Sequence, residues 1–151
     1  MAKGIFKWGL LAYVAVTLGV IVWQECKAGP LPGEPGWEAG DYLMVTYFHS
    51  DKRCETCNNM EAYTKEAVET FFAAELASGN VKMRVLNWQS LANAGYTKKY
   101  ALLGNAVIVS QIKDGQETRF KNLEDVWSLA HDRKEFVEYV REEVQAWSGG
   151  A

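Results

Sequence analysis

Cysteine, proline and histidine are scarce in this chain of 151 residues, which has three, three and two of them. Beyond Cys54 and Cys57 the only cysteine is Cys26, so a four-cysteine zinc site has no complete ligand set. All three prolines lie in 29–36, Gly-Pro-Leu-Pro-Gly-Glu-Pro-Gly, which reads as a linker with no apolar period. An excess of positive charge is missing too. Setting aside residues 1–27 removes three lysines and one glutamate and leaves 13 basic against 18 acidic residues, net −5. A mildly acidic domain offers no electrostatic footprint for nucleic acid. There is no glycine-rich phosphate loop and no basic cluster for a cofactor phosphate, so no cofactor is expected. Internal repeats and low-complexity tracts are absent as well.

Long apolar runs are not missing. Residues 5–23 are almost unbroken in apolar character, with only Lys7 interrupting, and Trp8 and Trp23 lie near the ends. Nineteen residues at a rise of ~1.5 Å span ~28 Å, close to the ~30 Å of bilayer hydrocarbon. A cleaved signal has a shorter apolar core and ends in small residues, whereas Gln24-Glu25-Cys26-Lys27-Ala28 provides only a poor cleavage site. An uncleaved anchor is expected. Lys3 and Lys7 precede it, which keeps the N-terminus cytoplasmic and the C-terminal domain extracytoplasmic. Ala15 and Gly19 give one weak hint of helix pairing. Cys26, just beyond the anchor, is expected to have no role. The expected organisation is a cytoplasmic N-terminus at 1–4, an anchor at 5–23, a linker at 24–40 and one domain at 41–148.

Within that domain, 42–48 (Tyr-Leu-Met-Val-Thr-Tyr-Phe) reads as a buried strand. Met60, Tyr63, Ala67, Val68, Phe71, Phe72 and Leu76 recur at helical spacing, which predicts a helix over 55–77 ending at Ser78-Gly79-Asn80. Strands are predicted at 81–86, 106–112 and 116–120, the last two joined by an Asp114-Gly115 hairpin turn. A helix is predicted at 89–101 with Leu91, Tyr96 and Tyr100 inward. The final helical stretch carries an Asp132/Glu135 capping pattern. The order is β-α-β-α-β-β-α. It predicts an α/β domain with a mixed four-stranded sheet and helices on both faces, drawn as three parallel strands plus one antiparallel hairpin strand.

The dithiol Cys54-Glu55-Thr56-Cys57 falls where the first strand gives way to the helix. There the positive helix end stabilises a thiolate, and the thiolate is the nucleophile of disulfide exchange. A redox-active pair, half of a metal site and a purely structural bridge are the three readings, and the position favours the first. Lys52 and Arg53 favour the thiolate, while Glu55 disfavours it. His49 is either a strand-end surface residue or a proton shuttle. His131 reads as structural, and Trp88 and Trp127 as packing residues.

This arrangement resembles a thioredoxin-like domain over 40–147. More narrowly, Tyr47-Phe48-His49, Arg53-Cys54-x-x-Cys57, Met60-Glu61-Ala62-Tyr63-Thr64 and Leu123-Glu124-Asp125-Val126-Trp127 are similar to a family of small membrane-anchored thioredoxin-like proteins. Its members are labelled nitrophenyl-compound nitroreductase subunits or arsenical-operon thioredoxin-like proteins. The resemblance implies a thiol–disulfide oxidoreductase or electron carrier with Cys54 attacking and Cys57 resolving. The implied partners are a protein disulfide or dithiol and a transmembrane thiol-electron carrier of the cytochrome-c-biogenesis type. Two departures stand out. The cis-proline that thioredoxins carry before the third strand is replaced by Leu103-Gly104-Asn105-Ala106, where a trans peptide is expected. Their buried aspartate has Tyr47 as its nearest counterpart, a poor base, with His49 and Glu55 as substitutes. The rival functions are a soft-metal module holding Cu(I) through Cys54, Cys57 and His49, and a non-catalytic subunit of a redox complex.

Overall fold

Tyr42–His49 forms β1, and its apolar run is buried on both sides because it becomes an inner strand of the sheet. The computed structural model describes residues 36–148 together with Thr17. The expected N-terminal segment, the anchor at 5–23, Cys26 and the linker up to residue 35 lie outside the described residues, Thr17 excepted. Among the described residues no helix is long and apolar enough to cross a membrane. Every element of the sheet and its helices belongs to one compact unit.

The helix α1 (Glu55–Phe71) is succeeded by a short α2 (Ala73–Ser78), β2 (Val81–Asn87), a 3-10 turn at Leu91–Asn93 and α3 (Ala94–Lys99). Then come β3 (Ala106–Lys113), β4 (Gln116–Asn122), α4 (Val126–Leu129) and α5 (Arg133–Ser148). The sheet order is β2-β1-β3-β4. β1 pairs with β2 in parallel and with β3 antiparallel, Phe48 lying opposite Ala106, and β3 pairs antiparallel with β4. This corrects the expectation of three parallel strands built on β1, β2 and β3. The connection that carries α3 explains why. Residues 88–105, with the 3-10 turn and α3, pack against Phe48 on one face of the sheet and bring the chain back to the end where β2 finishes. β3 therefore starts beside the end of β1 and runs antiparallel to it.

Alternation along β1 builds two cores. Leu43, Val45 and Tyr47 face α1 and α5, meeting Met60, Ala67, Val68, Phe136, Val140 and Val144. Phe48 faces the other way, against Tyr96 and Tyr100 of the α3 region. Over this second face the Arg84 guanidinium lies against the rings of both Trp37 and Tyr96, 4.5 and 4.6 Å from their centroids.

Three helix expectations change. The predicted helix over 55–77 breaks at Phe72, which leaves helical geometry (φ −125°) and is itself buried, while Phe71 beside it is exposed. The predicted helix over 89–101 shrinks to the 3-10 turn and α3, and Leu91, expected inward, is 89% exposed. Tyr96 and Tyr100 are buried as expected. The punctuation holds. Gly79 ends α2 in the left-handed region (φ 81°), and Asp114 and Gly115 both take positive φ in the hairpin turn. Asp132 Oδ1 accepts the Glu135 N–H at 3.0 Å at the start of α5.

Candidate redox site at the start of α1

β1 delivers the chain to the end of the sheet, and five residues later Cys54 caps α1. Cys54 and Cys57 are joined by a disulfide, with Cα atoms 5.0 Å apart. The two sulfurs live in different surroundings. Cys54 is exposed, whereas Cys57 is 5% exposed and packs into the buried side of α1. Cys54 is also the N-cap through its own side chain, because Sγ accepts the Cys57 N–H at 3.1 Å. An oxygen from Ser, Thr, Asp or Asn usually fills that place. Here a sulfur does. On reduction, the charge of a Cys54 thiolate would fall on the amide hydrogen and helix end already aimed at it.

Tyr47 lies beneath the dithiol. Its hydroxyl donates to the Cys57 carbonyl at 2.7 Å and accepts from Asn105 Nδ2 at 3.3 Å. Burial is the main cause that pushes its pKa up to about 12, with Glu61 adding to the rise and Arg53 and Asn105 opposing it. Tyr47 is thus a fixed hydrogen-bond donor at neutral pH, not a base. Asn105 carries no signal in the sequence, yet it is where this end of the sheet converges. Its Oδ1 accepts the Ser50 N–H at 2.9 Å, and its carbonyl accepts the Trp127 indole N–H at 2.9 Å. Trp127 is 48% exposed, and its ring edge lies 3.7 Å from where a Cβ on Gly104 would stand. Leu103 next to it is 96% exposed. Among the described residues no peptide bond is cis, the 103–106 segment included.

The cations expected to help the thiolate are partly committed elsewhere. Arg53 pairs with Glu61 and donates from Nε to Asn58 Oδ1 at 3.3 Å, and Lys65 donates to the other Glu61 oxygen at 2.6 Å. Burial opposes the charge on Glu61, but the hydrogen bonds from Lys65 and Arg53 outweigh it and hold its carboxyl below the ordinary value. The hold of Glu61 on Arg53 emerges from the structure. Lys52 and Glu55 are exposed beside the dithiol. His49 is half-buried, with Nδ1 2.9 Å from the Ser50 carbonyl. Among the described residues no hydrogen bond joins it to either cysteine. His131 is exposed in the turn before α5.

Among the described residues no three His, Cys, Asp or Glu side chains converge as a metal site. A cleft of about 660 Å³ lies at the opposite end of the sheet, lined by Asp41, Glu75, Lys113 and Trp147 among others, and holds neither cysteine. The arrangement is compatible with thiol–disulfide exchange, with an exposed Cys54 open to attack and a buried Cys57 three residues on to close the bond.

No family model matches the chain, and no curated protein matches it. Among solved structures, one described as "Structure of a malarial protein" is similar at 13% identity and a TM-score of 0.36, over 61% of this chain and 97% of that one. An overlap that slight carries neither fold nor function across to this chain.

Proposed function

We propose that the chain is a membrane-tethered thiol–disulfide oxidoreductase or electron carrier with a thioredoxin-like domain. The asymmetry of the disulfide carries this reading: Cys54 is an exposed residue whose sulfur receives the Cys57 N–H at the head of α1, and Cys57 is buried. The mixed sheet with helices on both faces, and a dithiol beyond the carboxyl end of β1, supports the thioredoxin-like assignment. The tether and the extracytoplasmic placement rest on the apolar run at 5–23 and the lysines before it. The resemblance to the family labelled nitrophenyl-compound nitroreductase subunit or arsenical-operon thioredoxin-like belongs to the same proposal. So does a transmembrane thiol-electron carrier as partner.

In the reducing direction the Cys54 thiolate attacks a substrate disulfide. One substrate sulfur leaves as a thiolate and takes up a proton, and a mixed disulfide forms with the other. Cys57 then attacks the Cys54 sulfur, the Cys54–Cys57 bond closes, and the second substrate sulfur departs reduced. Two electrons have passed from the chain to the substrate. Oxidation of a dithiol runs through the same intermediates in reverse.

The test is catalysis by the full chain in detergent, with glutathione as electron donor and a disulfide-bonded test protein as acceptor. Wild type should speed reduction well above the uncatalysed rate, and Cys54→Ser should fall to background. A wild type no faster than Cys54→Ser would sink the proposal.

A further inference from the structure

Asn105 makes three hydrogen bonds from a buried position immediately before β3, and two come from its side chain. The Ser50 N–H can only donate, so the Asn105 atom facing it is the oxygen, and the NH₂ group must face Tyr47. A hydroxyl has one hydrogen. With Nδ2–H occupying the Tyr47 oxygen, that hydrogen is left to point at the Cys57 carbonyl, 2.7 Å away. The same side chain thus fixes the β1–α1 loop at Ser50 and, through Tyr47, the turn that carries Cys57. Only an amide accepts at one end and donates at the other within this space: a carboxylate could not donate to Tyr47, and leucine could do neither.

We propose that Asn105 is a positioning residue for Cys57, acting through the Tyr47 hydroxyl to hold the first turn of α1 where the Cys57 sulfur meets the Cys54 sulfur. The inference rests on the redox reading above and deepens it. It sets the effective concentration of one thiol at the other, which governs both how firmly the disulfide holds and how fast it forms. In the step concerned, Cys54 carries glutathione as a mixed disulfide. The Cys57 thiolate attacks the Cys54 sulfur, the Cys54–Cys57 bond forms, and the bond to glutathione breaks. Glutathione leaves with the electron pair and takes up a proton.

Full-length wild type, Asn105→Ala, Tyr47→Phe and the double variant would each be equilibrated with glutathione and its disulfide. The lifetime of the glutathione adduct on Cys54 would be tracked by mass spectrometry. Losing a hydrogen bond of ordinary strength should make the disulfide about three- to tenfold easier to reduce and lengthen the adduct lifetime by a similar factor. Tyr47→Phe should act in the same direction, and the double variant should add little to the larger single effect, because the two residues act in series. A merely structural role would weaken both redox states alike and leave the equilibrium with glutathione unmoved. If wild type exchanges and both single variants equilibrate as it does, the inference is overturned while the redox reading stands. Effects that simply add in the double variant would overturn the route through Tyr47. A wild type that does not exchange at all would overturn the redox reading itself. Should Asn105→Ala fail to fold, Tyr47→Phe carries the same expectation, because it removes the hydroxyl that Asn105 acts through.

Discussion

Cys57→Ser is expected to leave the chain covalently caught on its partners, and Cys54→Ser to leave it nearly free of them. The two thiols differ in access, Cys54 being exposed at the helix cap and Cys57 buried one turn in. Only Cys54 can meet an incoming disulfide, and only Cys57 is placed to release what Cys54 has captured. With Cys57 gone, the mixed disulfide has no internal thiol to resolve it and persists. With Cys54 gone, the remaining thiol is shielded and lacks the aimed amide that stabilises an anion. Membranes carrying each variant, quenched with acid and run without reductant, should show adducts from Cys57→Ser and almost none from Cys54→Ser. Adducts arising chiefly from Cys54→Ser would reverse the assignment. A transmembrane thiol-electron carrier among the trapped proteins would favour the reductive direction.

Phe136→Ala should cost about 3–5 kcal/mol of stability, because it removes a large buried ring where the structure has little freedom to collapse. Phe136 on α5 is fully buried and meets Tyr63 of α1 edge-on, with ring centroids 5.6 Å apart. This contact ties the dithiol helix to its neighbour over the sheet, so the loss falls on the element that carries the site. Urea unfolding of the 36–148 region would measure it. Leu103→Ala and Leu91→Ala, at exposed positions, should change the stability measured in this way by no more than about 0.5 kcal/mol. A Phe136→Ala cost under about 1 kcal/mol would mean that α5 does not pack as described.

The parts of this fold that the sequence announces are those written in short-range chemistry. β1 and β3 show as apolar runs, Gly79 and Asp114-Gly115 as backbone positions needing positive φ, and Asp132 as a cap. The direction of β3 is not written that way, since its side-chain alternation reads the same in either sense. What decides it is long-range pairing with β1, in which Phe48 meets Ala106 and Tyr42 meets Ile112. Leu91 shows the complementary failure. Its apolar character suggests an inward position, but the 3-10 turn aims it outward.

The dithiol itself is legible, because two cysteines at a strand-to-helix junction have a local reason to be there. Asn105 is not, because its side-chain partners are 55 and 58 residues away in sequence and nothing in Leu103-Gly104-Asn105-Ala106 hints at them. The missing proline draws attention to that segment without showing which residue replaces its influence. Arg53 and Glu61 lie closer to being readable. They are eight residues apart and straddle the start of α1, so a cation before the helix and an acid two turns in can meet.

Everything proposed for the site depends on Cys54 and Cys57 forming a reversible couple. The most direct measurement is a titration of the full chain across ratios of glutathione to its disulfide, then alkylation and mass spectrometry. The expected result is one transition in which two thiols appear together as the poise becomes reducing, leaving the Cys54–Cys57 bond as the oxidised end state. Full labelling of both thiols at every ratio would contradict it, as would a bound zinc or copper ion that protects both and is lost in Cys57→Ser.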